Sequence, residues 1–314
     1  SEQSGEAQDL EFWNWNREHV GHAKSSVSSG LERCDYRWSW GAWDLDLGRQ
    51  PISLGTSHFV GILDVLTPFH PGYLDSSYKP GVDALRIRTG IGTAGEAELI
   101  GVAAKAADRG ALLGRFRNSF SGFDVELIAG RFRDRNMLGL GYDGERQRIT
   151  YWGEIGMFER KPQRERIWSG SSKFALSWIA GLEKEVVPSV RMGLALLHQD
   201  FGVKNPEDLG RAYLDAPFQE GWAFLGGREH GILTLRIELS PLVKADLSGI
   251  VNLHDRSSLW QPKLILNTGN CSDVTFFGWL SGGKAPAATL TGVSTPAEFG
   301  MFPDGIGVLL RRFY

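Results

Sequence analysis

Residues 34–47 read CDYRWSWGAWDLDL, and their side chains alternate in kind one position at a time. Successive side chains of an extended chain point to opposite faces, so Cys34, Tyr36, Trp38 and Trp40 share one face while Arg33, Asp35, Arg37 and Ser39 share the other. Trp43, Leu45 and Leu47 oppose Asp44 and Asp46 in the same way. This period predicts strands with one apolar and one charged face.

The pattern recurs to the end of the chain. Leu85 and Ile87 oppose Arg86 and Arg88; Phe123, Val125, Leu127 and Ala129 oppose Asp124 and Glu126; Ile149, Tyr151, Gly153 and Ile155 oppose Arg148, Thr150, Trp152 and Glu154. Further on, Phe174, Leu176, Trp178, Ala180 and Leu182 oppose Lys173 and Ser177, and Leu233, Leu235, Ile237 and Leu239 oppose Thr234, Arg236 and Glu238. Leu247, Gly249, Val251 and Leu253 oppose Asp246, Ser248, Asn252 and His254. A soluble sandwich could show such strands too, so the connections between them have to decide.

Walking back from Tyr314, connections alternate between two sides, one holding only short segments and the other the long ones together with short ones at 255–258, 134–136 and 105–110. Segments near 267–272, 240–242, 183–189, 142–146, 119–122 and 92–95 are short, and every long segment falls between them, at 282–304, 200–219, 158–170 and 51–80. Transmembrane barrels place short turns on the periplasmic side and long loops outside, whereas a sandwich has no reason to sort loops by length. The expected fold is therefore all-β: a transmembrane antiparallel β-barrel of about sixteen strands, with both termini periplasmic. Residues 1–8 are expected as a periplasmic tail and 9–314 as a single barrel with long outer loops at 51–80, 159–170, 200–219 and 282–304. Segment 19–30 is expected outside as well.

Composition agrees. The chain has 314 residues, 40 glycines, 11 tryptophans and 42% hydrophobic residues, yet no apolar run approaches the ~18 residues a spanning helix needs. Trp13, Trp15, Trp38, Trp40, Trp43, Tyr151, Trp152 and Trp178 fall where aromatic girdles are expected. The last strand carries Val308, Leu310, Arg312 and Tyr314 on one face, an ending usual for such barrels except at Arg312. Ser1 to Asp9 is small, polar and acidic, as expected after a removed signal peptide. A net charge of −3 without a basic cluster argues against a nucleic-acid partner. Cys34 and Cys271 fall on a mid-barrel strand and a periplasmic turn, so no disulfide is expected between them.

Residues 43–88 read WDLDLGRQPISLGTSHFVGILDVLTPFHPGYLDSSYKPGVDALRIR. This segment resembles porin-like bacterial outer-membrane proteins, including the alginate-export porins, which carry a similar Gly-Arg-Gln ending a strand before a loop. Gly48, Arg49 and Gln50 are its most specific residues, and the match covers under a fifth of the chain. The alginate exporters imply a strongly basic lumen for an anionic polysaccharide. Here the interior acids nearly balance the bases.

With the polar faces taken as lumenal, Arg33 and Arg37 lie beside Asp44 and Asp46, Arg86 and Arg88 beside Glu96 and Glu98, and Arg115 and Arg117 beside Asp124 and Glu126. Such charges could set a transverse field across a pore, or simply partner one another. Arg86, Arg88, Arg115 and Arg117 are the expected solute-facing set. The segment from Pro51 to Pro80, with His58, Asp64, His70 and Asp75, is expected to fold inward as a constriction.

Catalysis is not expected, because GxSxG is absent and no Ser/His/acid spacing stands out among seven histidines. His19 and His22 would share a metal only on a helix, so no metal is expected. Gly90, Gly92 and Gly95 read as a turn and not a dinucleotide site, and no cofactor is expected. The expected role is an outer-membrane porin or exporter for a polar or charged solute. The alternative is a non-conducting scaffold barrel anchoring a larger envelope complex for polysaccharide export, motility or electron transfer. Either would have outer-membrane lipid and lipopolysaccharide as partners, with further copies or other envelope proteins if one wall is flat and apolar.

Overall fold

A computed structural model of the chain describes residues 10, 12, 17–22, 25–29, 31, 33–68, 79–162, 165, 172–221, 223, 225–269, 271–286, 288–289, 292–293 and 296–312. A short hairpin comes first, β1 (Arg17–His22) with β2 (Ser25–Ser29), overlapping the segment 19–30 expected as an outer loop and starting two residues before it. The first half of the main sheet is β3 (Cys34–Trp40), β4 (Trp43–Gln50), β5 (Val82–Ile91), β6 (Gly95–Val102), β7 (Ala111–Phe120), β8 (Phe123–Phe132), β9 (Arg135–Arg146) and β10 (Ile149–Glu159). The second half is β11 (Phe174–Val187), β12 (Val190–Gln199), β13 (Glu229–Ser240), β14 (Val243–Asn252), β15 (Ser258–Gly269), β16 (Ser272–Gly282) and, after a two-strand ribbon of β17 (Ala288–Thr289) and β18 (Gly292–Val293), β19 (Gly305–Arg312).

β3 to β16 and β19 form one antiparallel sheet in which neighbours in sequence are neighbours in space. Among the described residues it has fifteen strands, against the about sixteen expected from sequence. The tight turns are residues 41–42, 92–94, 121–122, 147–148, 188–189 and 241–242, and β15 and β16 are separated by two residues on the same side. The connections between them are 51–81, 103–110, 133–134, 160–173, 200–228, 253–257 and 283–304, so every long one leaves the sheet on the side opposite the tight turns. Two boundaries differ from expectation. β9 continues to Arg146 and β11 to Val187, because Gln147 and Arg148 (φ 56° and 61°) make the tight left-handed pair that a twisted two-residue hairpin requires, and the 188–189 turn is equally short.

The strand faces sort by chemistry. Leu47, Leu99, Leu112, Leu127 and Leu138 are exposed on one face, as are Leu194, Leu239 and Leu310 farther along, with Leu112 58% and Leu310 74% exposed. An exposed aliphatic side chain forgoes roughly 1.5–3 kcal/mol of burial, so a wall of them suits a medium as apolar as itself. The opposite face is charged toward the tight turns and apolar toward the long connections, where Val82, Ile100, Leu113, Ile128 and Phe132 are buried.

By packing, the chain divides into two compact units, Ser1–Tyr142 with Glu154–Lys161 and Glu220–Trp222, and Asp143–Gly153 with Pro162–Gln219 and Ala223–Tyr314. In the first unit, Ile52, Leu54, Val60, Leu63, Val65 and Leu66 of the 51–81 connection are buried. In the second, Val203, Leu209 and Ala212 of the 200–228 connection form a small core with Tyr213 and Phe218. Trp152 is buried, its ring lying over Gly181, and so does not join a surface girdle; Trp38, Trp40 and Trp43 are exposed, while Trp13, Trp15 and Tyr314 lie outside the described residues. Cys34 and Cys271 are free.

Candidate functional site: a charged sheet face and the loop bonded to it

The alternation of β3 to β8 places Arg37, Asp46, Arg86, Arg88, Glu98, Arg115, Arg117 and Glu126 on one face of the first unit, as expected. Register sets Arg37 opposite Asp46, Asp46 opposite Arg86, Arg88 opposite Glu98 and Glu98 opposite Arg115. The ion pairs are partly diagonal, as neighbouring strands of a twisted sheet allow. Asp46 takes Arg37 at 2.7 Å and Arg88 at 2.5 Å; Glu98 takes Arg86 at 2.5 Å and also Arg115; Glu126 takes Arg117 at 3.0 Å.

The remaining expected residues are placed less centrally. Asp44 accepts from the Ser39 hydroxyl at 2.5 Å, and Asp124 accepts from Ser119. Glu96 lies opposite Arg117 in register and is half-buried. Arg33 donates to the Lys79 carbonyl at 2.8 Å. The acids at the centre are sealed, with Asp46, Glu98 and Glu126 all under 4% exposed at their side chains. Removing either partner would strand a buried charge.

The connection after β4 bonds to this face at Glu126 and Arg115. Gly55 donates its N–H to Glu126 at 2.8 Å, and Arg115 donates to the Ser53 carbonyl at 2.9 Å. Glu154 of β10 accepts four backbone N–H groups: Thr56 at 2.6 Å and Ser57 at 2.7 Å on Oε1, Ile62 at 2.6 Å and Leu63 at 3.0 Å on Oε2. Gly139, Gly141 and Gly156 leave the space. A Cβ at Gly139 would collide with Leu63, one at Gly141 with Thr56 at 2.8 Å, and one at Gly156 with Phe158 at 2.7 Å and Leu63 at 3.2 Å.

Within the loop, Asp64 takes Lys79 at 2.5 Å and Leu54 N–H at 3.4 Å, and Lys79 also donates to the Ser53 hydroxyl at 3.2 Å. Burial pushes the Asp64 carboxyl up against the opposing pull of Lys79, and burial pushes the Lys79 ammonium down. His58 is exposed; His70 and Asp75 lie outside the described residues.

Glu154 and the glycines opposite it were the residues that charge patterning missed. Their signal is the stretch Met137-Leu138-Gly139-Leu140-Gly141, with glycine at alternate positions of the charged face. Gly48, Arg49 and Gln50 close the end of β4. Gly48 (φ 129°) sits where a Cβ would strike the β3 backbone, Arg49 grips Asp83 of β5 with two bonds of 2.8 and 2.9 Å, and Gln50 donates to the Ala84 carbonyl at 3.2 Å.

The second unit has its own buried tether. Glu298, in the connection before β19, accepts Gly226 N–H at 2.5 Å, Gly227 N–H at 3.1 Å, Asn252 Nδ2 at 2.7 Å and His230 Nε2 at 2.8 Å. Burial, with the Glu298 carboxylate beside it, pushes the Tyr213 hydroxyl up. At the tight-turn end of this unit the charges are open to solvent and line two cavities of about 360 and 210 Å³. Among the described residues no cluster of histidine, cysteine and acid could hold a metal ion.

No family model matches the chain, and no curated protein matches it in sequence. Solved structures match its fold. OccK11 (OpdR) of Pseudomonas aeruginosa is similar with a TM-score of 0.58 at 9% identity, over 92% of this chain and 82% of that one. OccK5 (OpdH) gives 0.55 at 9%, over 92% and 83%, and OccK10 (OpdN) gives 0.54 at 10%, over 96% and 92%, both from the same organism. These are outer-membrane porins, and the chain shares their all-β antiparallel fold.

Proposed function

We propose that this protein is a channel of the bacterial outer membrane, with periplasmic termini, that passes a polar or charged solute along its charged sheet face. The observation that carries the reading is the inversion of an ordinary soluble protein: leucines exposed on one face, and on the other a ladder from Arg37 to Glu126, whose Arg115 and Glu126 bond to Ser53 and Gly55 of the loop after β4. Lipid and lipopolysaccharide meet the leucines, and the inward loop is the constriction. Arg86, Arg88, Arg115 and Arg117 act on the solute mainly through their field, because their acid partners are sealed from water.

Nothing beyond the sequence of Gly48, Arg49 and Gln50 supports the likeness to alginate exporters. Gly48, Arg49 and Gln50 direct their contacts into β3 and β5, and the ladder balances its charges, so a polyanion is not the favoured cargo. A non-conducting scaffold is the second reading, favoured by the four N–H groups that hold the loop on Glu154. The test is ion selectivity in a planar bilayer under a salt gradient. Replacing Arg86 and Arg88 by Ala should shift the reversal potential toward cations. An unchanged potential with lost heat stability would assign the ladder to structure alone.

A further inference from the structure

At the tight-turn end of the second unit Arg236 pairs with Asp246 at 3.5 Å and Lys244 with Glu238 at 3.1 Å, and a set of charges beside them is left open. Glu145, Arg148, Glu185 and Arg191 line one cavity of about 360 Å³ with Thr150 and Glu183, and all four are exposed. Among the described residues none of these four makes an ion pair or side-chain hydrogen bond. Arg191 stands directly opposite Glu185 in the β11–β12 register without bonding to it. On its other side it stands opposite a like charge, Arg236, which is turned to Asp246 at 3.5 Å. Like charges facing each other across a strand pair repel, so this arrangement costs stability unless something between them compensates.

The neighbouring cavity, about 210 Å³, shares Glu185 and Arg191 and adds Arg236 and Glu238. Glu238 is taken by Lys244 at 3.1 Å, so the acids and bases set side by side without bonding are Glu145, Arg148, Glu185 and Arg191. A simple anion approaching Arg148 and Arg191 meets the field of three carboxylates, and a simple cation meets two guanidinium groups. A molecule carrying both charges a few bonds apart satisfies each in turn.

We propose that this cavity is a binding site for a small zwitterionic solute, its anionic end held by Arg148 and Arg191 and its cationic end by Glu145 and Glu185. The channel reading above is needed only for the site's place in transport, not for the binding itself.

Ligand-detected NMR titration of the folded, detergent-purified protein tests it with three size-matched probes: 5-aminopentanoate, pentanoate and pentylamine. The zwitterion should bind with a millimolar dissociation constant, at least about tenfold more tightly than either singly charged probe. Glu185→Gln and Arg191→Gln should each remove most of that preference while the protein keeps its heat-modifiable migration. Should either variant fail to fold, Arg148→Gln, in the turn, serves in its place. Equal binding of the three probes, no binding of the zwitterion, or binding indifferent to these substitutions would overturn the proposal. Binding by a protein that does not conduct would uphold the site and sink the channel reading; conduction without binding would do the reverse.

Discussion

Glu154 shows how much one buried carboxylate can organise. Its two oxygens accept four backbone N–H groups from residues 56–63, so the loop's own donors, not a cation, neutralise it. Glu154→Ala should therefore destabilise the protein by about 3–5 kcal/mol in denaturant unfolding, since it leaves buried donors without acceptors. Glu154→Gln should recover only part of the loss, because its amide brings a donor to a ring of donors. Asp64 gives a prediction of opposite pH sign to most carboxylates. Its folded pKa is raised by burial, so taking up a proton favours the folded state, and the gain is complete only below the unfolded value. Relative to Asp64→Asn, wild type should gain unfolding temperature as pH falls from about 7 to about 4. A difference independent of pH would mean Lys79 fully offsets the burial. The ladder residues were legible in the sequence because alternation assigns faces; Glu154 was read only as one more polar-face residue, because its partners are backbone groups that carry no sequence signature.

Among the elements, β9 explains itself only once the loop is placed. A strand with glycine at alternate positions is weak by propensity, and here the missing side chains are the room into which Leu63 and Thr56 fit. Gly139→Val should expel the 56–63 segment while leaving the sheet intact. Limited proteolysis would then cut between residues 56 and 63 in the variant and not in wild type, and equal resistance would contradict this role for the glycine. Most strands of the main sheet and their faces were readable from period-two patterning, whereas β1–β2 and β17–β18 fall largely in segments expected as outer loops. Strand ends were less so: β9 and β11 run past their expected limits because the turns at 147–148 and 188–189 need only two residues, a matter of backbone conformation at Gln147 and Arg148 that their side chains do not announce. That Pro51 to Pro80 narrows a pore is an expectation from sequence; the bonds that tie residues 53–63 to Arg115, Glu126 and Glu154 had no sequence signal.

For the whole molecule, the decisive contrast is between a face of exposed leucines and a face whose charges are either sealed in pairs or left open around a cavity. That contrast suits a wall between lipid and a polar interior. The likeness to solved porins at 9–10% identity gives the fold, and the reading as a channel has to be tested on its own. The most direct measurement is single-channel conductance of purified wild type and Glu154→Ala in a planar bilayer. The account predicts small, stable steps for wild type and clearly larger steps when the loop loses its anchor. A folded, inserted protein that gives no steps in either form would contradict it and leave the scaffold reading in its place.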